Sequence, residues 1–257
     1  MNYFIICLIA LLGSGLTLFS GFGLGTLLTP VFGLFFPIEM AIAMTAIVHF
    51  LNNLFKLFLV GRHANWDTIL RFGAPSVFAA FLGAFLLKKL SRIPVLYVWG
   101  EGTALHEVNI LKIIIAILLI FFALWEILPA LNKLTFDKKY LPVGGVLSGF
   151  FGGLLGTQGV LRSAFLLRLG LSKEAFIATG VVIACLIDIT RLSVYFNHFK
   201  NHYEDFDFPL IGLATLSAFI GAYFGNKMLK KVTVLMVQHI VAVMLIVFAI
   251  LLMIGLI

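Results

Sequence analysis

Charge is the scarcest commodity in this chain: 11% of its 257 residues are Asp, Glu, Lys or Arg, against roughly 25% in soluble domains. Cysteine is nearly missing as well. Cys7 and Cys185 are the only two, and each lies inside an apolar stretch, which reads as a small buried residue and not as a disulfide or a metal pair. No HExxH, P-loop, GxSxG or cysteine-rich metal spacing occurs, and His106-Glu107 has no second histidine beside it. These absences argue against an enzyme, a resident metal and a cofactor. The start, Met1-Asn2-Tyr3-Phe4, lacks the positive n-region of a signal peptide, so the apolar run behind it is expected to belong to the structure.

What is present is hydrocarbon. Hydrophobic residues make up 62% of the chain, and the mean hydropathy is +1.14. A membrane-crossing helix needs about 20 apolar residues, because the hydrocarbon core is about 30 Å thick and each residue rises about 1.5 Å. Charges and turn residues divide the chain into eight apolar segments, near 3–36, 37–60, 69–87, 109–130, 140–161, 174–197, 207–226 and 233–257. The expected fold is therefore an all-α, multi-pass integral membrane protein of the cell membrane. The excess of seven cations sits between apolar runs, as at Lys88-Lys89, Lys138-Lys139 and Lys230-Lys231. There it meets anionic headgroups, so the lipid bilayer is the partner implied and nucleic acid is not.

The eight segments read as two copies of a four-segment module, 1–130 and 131–257. Phe22-Gly-Leu-Gly-Thr26 matches Gly153-Leu-Leu-Gly-Thr157 at an offset of 131, Glu39-Met-Ala-Ile-Ala43 matches Glu174-Ala-Phe-Ile-Ala178 at 135, and Gly83-Ala84 matches Gly221-Ala222 at 138. Transporters are often such duplications. Glycines four apart, as in Gly145, Gly149 and Gly153 or Gly221 and Gly225, let helix backbones approach closely. The clusters Gly21–Thr26 and Gly152–Gly159 are dense enough to unwind a helix, making segments one and five glycine-broken or re-entrant. Unwound backbone at membrane depth is tolerated where it lines a protein-enclosed cavity, and its freed amides can bind an anion. Close packing remains the alternative reading of both clusters.

The second segment carries His49, Asn52, Asn53 and Lys56 at i, i+3, i+4 and i+7, one polar face on an apolar helix. At offset 135 its mate has Asp188 for Asn53 and Arg191 for Lys56, with Tyr195 one turn on. Ionisable residues inside a membrane point to function, and Asp188 and Arg191 are spaced to pair with each other. Snorkelling to the headgroups is the alternative for Lys56 and Arg191, five or six residues from their predicted helix ends. Arg162, just past the second glycine cluster, stands at a site mouth or in an interfacial loop. Glu39 and Glu174 open matching helices, where a carboxylate favours the positive dipole end.

Gly21-Phe-Gly-Leu-Gly25 with Pro30, Ala43-Met-Thr45, Gly145 to Gly159 and Ala178-Thr179 together resemble the sulfite exporter TauE/SafE family over nearly the whole chain. The resemblance implies secondary transport of a small anion, such as sulfite, a sulfonate or a related organosulfur compound, coupled to an ion gradient. Matching cations on matching helices beside matching breaks lead to a separate expectation, that the two glycine breaks meet near the membrane midplane. The anion is held by Gly23, Gly25, Thr26, Asn53, Lys56, Gly156, Thr157, Arg162 and Arg191, and His49 or Asp188 carries a coupling proton. An anion channel, a non-transporting subunit and an intramembrane enzyme are the alternatives, and homo-oligomerisation stays open.

Topology divides on the glycine-broken segments. Eight full spans make the halves parallel and split the loop cations nine to six. Re-entrant hairpins make the halves inverted, with Arg62, Arg71, Lys133, Lys138, Lys139, Arg162, Arg168, Lys173, Lys227, Lys230 and Lys231 on one side against Lys88, Lys89, Arg92 and Lys200, eleven to four. The larger bias favours hairpins, whereas the matching clusters Lys88-Lys89 and Lys230-Lys231 on one face favour eight spans, so both topologies stay open.

Overall fold

The computed structural model describes residues 2–20, 23–101, 105–132, 134–199, 204, 206–228 and 234–257. Helices dominate: α1 (Asn2–Ser20), α2 (Leu24–Gly33), α3 (Ile38–Val60), α4 (Trp66–Leu90), α5 (Ile110–Ile127), α6 (Leu141–Leu155), α7 (Gly159–Leu166), α8 (Lys173–Phe199), α9 (Phe208–Met228) and α10 (Val234–Met253). Five of them, α3, α4, α5, α8 and α9, are long and apolar enough to cross a membrane among the described residues.

Local chemistry explains the helix ends. Pro37 precedes α3 and Glu39 sits in its first turn, Asn65 and Asn109 accept from the amides of Thr68 and Lys112 at 2.9 and 2.8 Å, and Glu174 opens α8. Pro75 cannot donate to the ladder of α4. The helix absorbs it with a π-turn over Ile69–Gly73 just upstream.

Both glycine clusters do break a helix. The first break separates α1 from α2. The second falls at 156–158, where Gly156 takes a φ of 81°, a left-handed conformation that closes α6. After each break the chain turns back. A Cβ on Gly13 would stand 2.9 Å from Leu27 Cδ1, and Ile6 shares a core with Val31 and Phe32, so α2 runs back along α1. Gly144 lies under the ring of Phe165, and the Phe136 amide donates to the Ala164 carbonyl at 3.2 Å, so α7 runs back along α6. At ten and eight residues, α2 and α7 are about half a bilayer long. Both segments are helical hairpins.

The ends of the bundle follow from this. One end gathers the N-terminus, the segment before α9 and the C-terminus: Tyr3 donates to Asp207 at 2.7 Å and Trp99 Nε1 to the Ile254 carbonyl at 2.7 Å. Trp99 belongs to a small antiparallel pair, β1 (Tyr97–Trp99) and β2 (His106–Val108), between α4 and α5. The opposite end holds the ion pairs Lys138–Asp67 at 2.9 Å and Arg168–Asp137 at 2.8 Å.

Helix packing exchanges partners between the halves of the chain. The first helix of each half packs on a late helix of the other, α1 on α9 and α6 on α4, while α3 packs on α8 and α5 on α10. Glycine makes the two exchanged contacts close. Cβ atoms at Gly145, Gly149 and Gly153 would land on the carbonyls of Phe72, Ser76 and Ala80, and one at Gly221 on that of Leu11. For this ladder the packing reading of the glycines is the observed one, and unwinding is confined to the breaks.

Candidate functional site

The site forms where α3 crosses α8 and both breaks close on that crossing. The polar face of α3 is buried, His49, Asn52, Asn53 and Lys56 being at most 5% exposed, and Asp188 and Arg191 on α8 are fully buried. Lys56 and Arg191 therefore do not snorkel. Neighbouring helices cover both side chains to their tips.

Asp188 is the hub. Its Oδ2 takes His49 Nδ1 at 2.6 Å and Asn53 Nδ2 at 3.2 Å. Its Oδ1 accepts from Arg191 Nε at 3.0 Å and Gln158 Nε2 at 3.5 Å, and forms an ion pair with Arg191 Nη2 at 2.8 Å. A carboxylate only accepts, so the Nδ1 of His49 carries the proton of that bond. In the neutral ring Nε2 is then the basic nitrogen. It faces the first break, 3.4 Å from where a Cβ on Gly23 would stand, so glycine there leaves the imidazole its room.

Lys56 is held separately. Its Nζ lies 3.5 Å from the Ser14 carbonyl. With the Asn52 amide oriented so that its oxygen faces the ammonium, Oδ1 accepts from Nζ at 3.2 Å while Nδ2 donates to the Ala218 carbonyl at 3.3 Å. The lysine is thereby tied to α1 and α9, while Arg191 is tied within α8.

Beside this layer is a cavity of about 40 Å³, lined by Lys56, Arg162, His49, Asn53, Thr17 and Ser163, with Leu24, Phe176, Ile177 and Val181 as apolar wall. A buried water needs about 10–15 Å³ on this measure, so the space suits a few waters or one small ion. Arg162 reaches it from α7, the returning arm of the second hairpin. Arg162 Nη1 finds no hydrogen-bond partner among the described residues. Gly180 on α8 makes room for it, since a Cβ there would sit 3.2 Å from Arg162 Nε. Gly180→Val is expected to push the guanidinium out of the cavity with little loss of folded protein. Size-exclusion profiles check the folding, and a slower reaction of Arg162 with a guanidine-selective dicarbonyl reagent checks the displacement.

The remaining residues singled out from sequence fall in two places. Gly23 lines the cavity with Lys56, Asn53, His49 and Arg162. Gly25 packs on Gly156, whose carbonyl would lie 3.1 Å from a Cβ at Gly25, so the breaks do touch. Thr26 and Thr157 are buried next to that contact, their hydroxyls unpartnered among the described residues. Arg191 and Asp188 stand behind the cavity and not in its wall, with Arg191 against Gly156. Gly21 lies outside the described residues. Sequence reasoning passed over Ser14, Gln158 and Gly180; only Gln158, the one amide inside the second glycine cluster, offered a signal.

A family model for the sulfite exporter TauE/SafE family matches residues 6–252. The chain belongs to that family, whose members are membrane transporters and not enzymes, and it is a multi-pass membrane protein. No curated protein matches it.

Proposed function

We propose that this transporter moves a small oxyanion, such as sulfite, a sulfonate or a related organosulfur compound, and that the anion is held in the cavity between Lys56 and Arg162. The observation that carries this reading is that two cations from different helices, the buried Lys56 and the half-buried Arg162, line one small cavity at the meeting of two broken helices. Few arrangements in a membrane tolerate two such charges, and an anion between them offsets their repulsion. The flanking hydroxyls of Thr17 and Ser163 are suited to an oxyanion's remaining oxygens.

Ion-gradient coupling is read as proton coupling. His49 donates through Nδ1 to Asp188, leaving Nε2 toward the cavity side as proton acceptor. A proton bound there adds positive charge next to the anion, so each favours binding of the other. The exchanged packing of α1 on α9 and α6 on α4 supports an inverted duplication, 1–130 and 131–257, and the cation-rich end is assigned to the cytoplasm by the positive-inside rule. Both termini then lie outside.

Counterflow in proteoliposomes tests the reading. Among sulfite, thiosulfate, sulfonates and carboxylates, a sulfur oxyanion is expected to drive exchange, and Lys56→Ala and Arg162→Ala are each expected to reduce it at least tenfold. Undiminished exchange in both variants removes these residues from the site. Uptake insensitive to an imposed pH gradient removes the proton.

A further inference from the structure

Tyr195 belongs to neither the cavity wall nor the bonds to Asp188, yet it is 3% exposed and set between two spaces. Its ring lines an apolar recess of about 210 Å³ with Ala43, Ile47, Leu192, Phe196, Phe206 and Phe208. Its hydroxyl donates to the Gly153 carbonyl at 2.5 Å, in the last turn of α6 before the second break. The recess lies toward the end that holds both termini, and the Lys56/Arg162 cavity lies toward the other. Along α3 the lining of the recess ends at Ile47 and that of the cavity begins at His49, while along α8 the two linings are parted from Val181 to Leu192, about 16 Å. Asp188 and Arg191 lie between the two linings on α8, with His49 and Asn53 on the cavity side and Tyr195 on the recess side.

We infer that Tyr195 is the outer gate residue of this transporter: its bond to Gly153, next to the Arg191–Asp188 pair, closes the passage between the apolar recess and the cation-lined cavity. The recess is then the exterior vestibule in its closed state. Release of α6 from the tyrosine joins the two spaces, and the same movement frees Arg191 from its contact with Gly156, so that a cation meets the anion on the exterior side. A tyrosine suits the position because its ring fills the apolar recess while its tip satisfies a carbonyl left open by the end of α6.

The competing role is plain helix capping, and accessibility separates the two. In a background lacking Cys7 and Cys185, the Ser163→Cys variant is reconstituted and exposed, from the side of the termini, to a charged membrane-impermeant thiol reagent. Adding Tyr195→Phe, which removes only the hydroxyl, is expected to raise the labelling rate at least fivefold and to change KM and Vmax of transport by different factors. The Ile47→Cys variant is expected to react from that side with the same reagent whatever stands at 195. An unchanged Ser163→Cys rate with a lowered melting temperature means a cap and overturns the proposal. Reaction of the Ile47→Cys variant with a lipid-soluble maleimide alone means that the recess faces lipid, and overturns it too. The labelling needs no substrate, so an error in the oxyanion assignment leaves its result intact.

Discussion

Asp188→Ala is expected to lower stability by about 3–5 kcal/mol, the range for removing one partner of a buried ion pair, and to bring transport to background. The carboxylate is fully buried and receives donors from His49, Asn53, Arg191 and Gln158. Without it Arg191 is a buried cation with no counter-charge, and desolvation of that unpaired ion makes up most of the loss. Thermal unfolding in detergent reads the effect as a fall in melting temperature. Asp188→Asn keeps the volume and one acceptor but drops the charge, so it is expected to recover part of the stability and none of the proton coupling. An unchanged melting temperature in Asp188→Ala would mean that Arg191 finds other acceptors, and the hub description would fail.

Gly149→Leu is expected to prevent α6 from docking on α4 and to remove most of the monodisperse protein. A Cβ at Gly149 would land on the backbone of Ser76, and backbone cannot step aside as a flexible side chain does. Overpacking typically costs about 1–3 kcal/mol in soluble cores. Here it falls in the middle of the ladder Gly145, Gly149 and Gly153, where close approach is what holds the helices together. Gly212 is the control: nothing lies within 4 Å of a Cβ there, so Gly212→Ala is expected to be neutral or to gain about 0.5–1 kcal/mol from helix propensity. Fluorescence-detected size-exclusion profiles of the two variants check this. Equal recovery of Gly149→Leu and Gly212→Ala would show that the ladder does not control assembly.

Membrane residence, the helical segments and their approximate limits were written in composition and local periodicity, because lipid demands long apolar runs and charge marks where they stop. The polar face of α3 and the Asp188–Arg191 pair were legible for the same reason: they are spaced along one helix, where geometry follows from sequence distance. So were the helix breaks, since glycine density weakens a helix wherever it occurs.

The direction in which the chain leaves each break was not legible. A glycine-rich turn permits both a kinked span and a hairpin, and Gly13 against Leu27 or Gly144 against Phe165 are contacts across the reversal that no local pattern encodes. The His49–Asp188 bond joins residues 139 apart, and Lys56 shares a cavity with Arg162 and not with its sequence mate Arg191. These pairings depend on how whole helices pack, and packing among uniformly apolar surfaces is selected by small residues and buried polar groups acting together. Residue types thus placed this protein in the bilayer and marked its polar positions. Which cations face each other, and across what cavity, is a property of the assembled bundle.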